Sequence, residues 1–80
     1  MEYIIVVAFL LVPPSDHQDM YAFIGYPFPD IVSCKAFAAQ NYDLAANISA
    51  LNYERPLEDI ENIYCAPKHE VLELVYGKAA

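Results

Sequence analysis

Cys34 and Cys65 are the residues of this sequence best placed to do chemistry. A thiol near a helix N-terminus has a lowered pKa and can serve as a nucleophile. Two thiols brought together can form a bridge, and Cys is also among the most buried residue types when free. Catalysis asks for more: a base, a third group to hold it, and donors for a developing oxyanion. The only imidazoles are His17 and His69. His17, flanked by Asp16 and Asp19, reads as part of a solvated turn, and His69 has no second ligand at a zinc-like spacing. The chain contains no C-x-x-C, no Ser-centred elbow and no Gly-rich phosphate loop, and only two glycines. The expectation is a protein that is not an enzyme, with no catalytic residues, no cofactor and no metal. The cysteines stay open between a disulfide and a pair of buried thiols. A bridge would close a loop of about 30 residues, add a few kcal/mol and require an oxidising compartment.

The second chemical signal is acidic. Glu54, Glu58, Asp59 and Glu61 fall close together beside a single Arg55, and the chain carries a formal charge of -7. Its four basic residues, Lys35, Arg55, Lys68 and Lys78, are scattered. They cannot form a positive groove along a phosphate backbone, so direct nucleic-acid binding is not expected. An acidic surface does attract a basic protein surface. Seven tyrosines add to this, because Tyr tolerates half-buried positions and is enriched at interfaces. The candidate partner contacts are Tyr42, Glu54, Glu58, Asp59 and Glu61, and the partner expected is a protein.

These groups need elements to position them. Asp30 to Leu51 has the clearest helical period: Phe37, Leu44, Ile48 and Leu51 recur at spacings of seven, four and three, with Cys34 on the same side. Asp30 is the cap. Ala36, Ala39, Ala46 and Ala50 then fall on a smooth outer face. Tyr3 to Val12 is an unbroken apolar run ended by Pro13 and Pro14. It is too short to span a bilayer as a helix, which takes about 20 residues. A strand buried on both faces is the preferred reading, since Glu2 stands where a secretory signal needs a positive charge. Residues 15–19 read as a turn, and Met20 to Phe28 as a second strand ended by Pro27 and Pro29. After a loop at 52–59, Ile60 to Ala66 reads as a third strand. Its Ile63 and Cys65 share one face, and Ile60, Asn62 and Tyr64 share the other. His69 to Tyr76 reads as a short amphipathic segment, with Val71, Leu72 and Val75 able to dock and Gly77 at its end.

The predicted fold is α+β: one domain over residues 1–80, in the order β-β-α-β-α. A small, mostly antiparallel three-stranded sheet carries one long helix packed on one face. If the Ile63 face meets that helix, Cys65 approaches Cys34.

The stretch Tyr26-Pro27-Phe28-Pro29-Asp30-Ile31-Val32-Ser33-Cys34-Lys35-Ala36, followed by Ile63-Tyr64-Cys65-Ala66-Pro67, resembles a layout of small uncharacterised phage and proteobacterial proteins. In them an aromatic-ended strand leads into a Cys-bearing, Ala-rich helix, and a later strand ends in Cys-x-Pro. The resemblance implies that Cys34 and Cys65 belong together and brings no activity with it. The function expected is that of a small acidic accessory protein acting by protein–protein binding in the cytoplasm, phage-encoded and directed at a host protein. Two alternatives stand beside it. One is a self-associating structural protein whose Tyr3–Val12 strand pairs across a homodimer. The other is an exported or membrane-associated protein with a Cys34–Cys65 disulfide, in which residues 1–14 are a signal.

Overall fold

An apolar run without polar alternation must be covered on both faces, and β1, Tyr3–Phe9, is covered on both. A computed structural model describes residues 1–11 and 18–76. The expectations for Pro13, Pro14, residues 15–17 with His17, the Val75 side chain, Gly77 and Lys78 lie outside the described residues. The sheet has the order β2-β1-β3, with β2 at Met20–Ala22 and β3 at Ile60–Pro67, and both neighbours run antiparallel to β1. Ile4 and Val6 face one way, against Met20, Ala22, Ile24, Tyr64 and Ala66 and against Val71 of α3, Lys68–Tyr76. Val7 and Phe9 face the other, against Tyr21, Phe23, Ile60 and Ile63 and against Ala45 of α2, Tyr42–Tyr53. Each fully buried side chain of this size contributes about 1.5–3 kcal/mol. As the central strand, β1 has both edges paired within the chain.

The single long helix is a misreading, because the chain breaks it at Asn41. Among the described residues the α-helices number three: α1, Ile31–Gln40, then α2 and α3. Asn41 adopts φ -122° and ψ 30°, outside the helical range. Its backbone N–H and its Nδ2 both donate to the Phe37 carbonyl, at 2.9 and 3.1 Å, while its own carbonyl accepts from Ala45 N–H. A side chain that competes for backbone partners ends one helix and lets the next begin in a new direction. At the front of α1 Asp30 is the cap, its Oδ1 accepting from Ser33 N–H at 2.7 Å.

The break also changes which face is inside. Leu44 and Leu51, expected in the core, are 55% and 78% exposed, and Ile48 is half-buried. α2 instead buries Ala45, Ala46, Ser49 and Ala50. The Ser49 hydroxyl is satisfied within the helix, donating to the Ala45 carbonyl at 2.8 Å. Small residues let α2 lie close to the sheet, at the cost of leaving its larger side chains outside.

Two local features shift the strands. The ladder pairs Val6 with Ala22 and Ala8 with Met20, and the chain then turns at Ile24–Gly25, so β2 is three residues long rather than running to Phe28. Phe28 returns only as a bridge to Tyr3. In β3 the register slips between Ala8 and Phe9, so that Asn62 opposes Ala8 while Ile60 opposes Phe9. The extra residue, Glu61, is a bulge, and it moves Ile60 to the helix-facing side with Ile63, not to the side of Asn62 and Tyr64.

Arg55 ties the ends of these elements together. It follows Glu54, which closes α2 in the left-handed region at φ 54°. The Arg55 Nε donates to Asp59 Oδ2 at 3.1 Å, Nη1 to Asp19 Oδ2 at 3.1 Å and Nη2 to the Leu10 carbonyl at 2.9 Å. The guanidinium also lies 4.9 Å from the Phe9 ring centroid, a cation–π distance. Next to it, Tyr53 packs edge-on to Phe9 and donates its Oη–H to the Met20 carbonyl at 2.6 Å.

Arg55→Met is expected to lower stability by about 2 kcal/mol, because three donors to charged or carbonyl oxygens are lost together. The midpoint of urea unfolding reads this. Burial and the nearby Asp19 carboxylate raise the Tyr53 phenol above its ordinary pKa. The neutral phenol is therefore favoured in the folded chain. Its contribution to stability is complete below about pH 10 and is lost as pH rises through the folded-state pKa. Tyr53→Phe is expected to remove that alkaline loss from a stability–pH profile.

Candidate functional site

The cysteines come together by register and capping. Cys65 opposes Ile5 in the ladder, which turns its side chain to the helix-facing side of the sheet. Cys34, fully buried in the first turns of α1, faces back. The two are joined in a disulfide with their Cα atoms 6.2 Å apart. The sequence coupled an apolar strand to buried thiols and a disulfide to a signal segment; the structure combines the strand with the disulfide.

The chemistry this pair can do is that of a staple. No free thiol remains among the described residues. His69 lies exposed at the start of α3, on the opposite side of the sheet, in a shallow depression with Glu2, Lys68 and Leu72. Among the described residues no group of three or more His, Cys, Asp or Glu could hold a metal ion. The Asp30 carboxyl is held below its ordinary pKa by the Ser33 N–H, as a helix cap is, and it is exposed.

An exposed apolar stripe lies along α2. Leu44, Ile48 and Leu51 follow one another at spacings of four and three along its outer side. Leu57, 48% exposed in the 3-10 turn Leu57–Asp59, lines a second depression with Leu51. Beside Leu44 and Ile48 opens an apolar groove of about 140 Å³, walled by Phe23, Tyr26 and Phe37 with Ile5 beneath. Its aromatic wall is preorganised: Phe37 stacks at tilted angles on Tyr26 and Phe28, with centroids 5.4 and 5.2 Å apart. Asp43 and Glu54, both exposed, flank the stripe at either end of α2.

The residues singled out from sequence fall around this surface unevenly. Tyr42 is 49% exposed at the first position of α2. Glu54 and Glu58 are exposed. Asp59 is engaged by Arg55 at 3.1 Å, and Glu61 accepts from Gln18 Nε2 at 2.8 Å, so the four acids do not form one free cluster. Leu44 and Leu51 were missed as surface residues because the period placed them in the core, while Phe37 is half-buried in the groove wall. The signal that could have found them is the compact set Ala45, Ala46, Ser49 and Ala50, whose spacing is equally helical.

Comparison with known families, with curated proteins and with solved structures finds no match for this chain. No helix among the described residues is long and apolar enough to cross a membrane.

Reducing the disulfide is expected to lower stability by about 3–4 kcal/mol, from the loop of 31 residues it closes. Urea unfolding of the oxidised chain against the reduced, alkylated chain measures the difference.

Proposed function

We propose that this chain is a small acidic accessory protein, not an enzyme, that works by binding another protein through the outer face of α2. The observation that carries the reading is the exposure of Leu44 and Leu51 beside the groove walled by Tyr26 and Phe37. Scattered exposed apolar residues are ordinary, but a contiguous apolar strip with a concave flank marks an interaction surface. The partner's chemistry follows from the surroundings. A formal charge of -7, with Arg55 and Lys68 already engaged by Asp59 and Glu2, favours an amphipathic segment bearing basic residues beside its apolar anchors. On the resemblance to small phage and proteobacterial proteins, that partner is a host protein.

A second reading has its own support. The disulfide favours an oxidising compartment, and with it an exported protein, over the cytoplasm. Intact mass of the native protein with thiol labelling separates the two. Two labelable thiols support the cytoplasm; labelling only after reduction supports export.

Leu44→Asp combined with Leu51→Asp is expected to leave stability within about 1 kcal/mol, since both side chains face solvent. The same pair is expected to abolish partner capture when wild-type and variant chains are used as baits side by side. Equal capture by both baits would refute the α2 surface.

A further inference from the structure

We propose that the free edge of β3 is a self-pairing surface, joining two copies of the chain into a continuous six-stranded antiparallel sheet. The argument starts from hydrogen-bond parity. Tyr3 exchanges both its backbone bonds with Phe28, and Ile5 and Phe9 likewise bond to the β2 side, at Phe23 and Asp19. The alternate residues Ile4, Val6 and Ala8 therefore direct their N–H and C=O groups to β3, where they oppose Ala66, Tyr64 and Asn62. It follows that Ile63 and Cys65, which oppose Val7 and Ile5, direct theirs away from β1. β3 is the last strand of the sheet, and among the described residues no backbone or side-chain group bonds to those outward groups.

An eight-residue edge of this kind is usually blocked by a lysine, a proline in mid-strand or a covering loop. Here the central residues Asn62 to Ala66 carry no charge, and Pro67 stands only at the strand's end. The occupant that fits is a second β3 related by a two-fold axis through Tyr64. In that register Ile63 opposes Cys65 twice, giving four hydrogen bonds, and the two Tyr64 residues meet in the close, non-hydrogen-bonded pairing. The same register keeps like charges apart. Glu61 of each copy falls opposite Pro67 of the other, and the two Glu61 residues are kept at opposite ends of the seam. α1 packs on β3 and leaves Val32, Ala36 and Ala39 exposed at spacings of four and three, a smooth stripe where a second helix can lie alongside.

The test is sedimentation and amide exchange on the oxidised full chain. At about 100 μM, where a micromolar dimer is nearly complete, the expected mass is twice the 9.0 kDa of one chain. The Ile63 and Cys65 amides are expected to be protected in the dimer and to lose protection on dilution, while those of Tyr64 and Ala66 stay protected throughout. A synthetic chain N-methylated at Ile63 removes one edge donor per copy without touching its side chain. It is expected to associate roughly 30-fold more weakly, whereas Leu51→Asp leaves the dimer intact. A monomer at that concentration overturns the proposal, as does a dimer whose Ile63 and Cys65 amides exchange freely or one that Leu51→Asp dissociates. If the N-methylated chain does not fold, the exchange pattern of the unmodified chain decides alone.

Discussion

Burial of β1 on both faces is the constraint from which the other contacts take their places. Four of its side chains, Ile4, Val6, Val7 and Phe9, are almost wholly excluded from solvent. A strand of that character is stable only between two layers, and a chain of 80 residues has little to build them with. One layer is α1 and α2, the other is α3 through Val71. β2 and β3 are then required on either side, because a buried strand cannot leave its backbone groups unpaired.

With so few residues the layers are thin, and the periphery is held by ties rather than by more core. The disulfide joins the start of α1 to β3. Arg55 joins the end of α2 to the residues just after β1 and just before β2, and to the 3-10 turn. These two ties lie at opposite ends of the helical layer. They fix α1 and α2 on the sheet even though α2 itself buries only small side chains.

That economy has a consequence at the surface. A helix that packs through alanine and serine turns its leucines outward, and α2 does so next to an aromatic wall supplied by the turn after β2 and by α1. The apolar surplus of the composition is therefore divided between β1, where it makes the core, and α2, where it makes a surface. The acidic groups flank that surface without forming one cluster, because Asp59 and Glu61 already serve Arg55 and Gln18.

Much of this was legible in the sequence. The apolar run of β1, without a charge between Tyr3 and Phe9, dictates a strand buried on both faces wherever it is placed. Asp30 before an apolar helical stretch dictates a cap, and the parity of Ile63 and Cys65 puts both on one face of a strand. Other features needed the tertiary structure. Whether Asn41 stays helical depends on a side chain choosing the Phe37 carbonyl, an outcome that periodicity does not encode. Both the leucine set and the alanine set of α2 have helical spacing, and only contact with the sheet selects the smaller. Ile60 changed faces through one bulged residue, and Arg55 met its partners across separations of 36 and 45 residues. Local pattern determines what each segment is; long-range contact determines which side of it faces in.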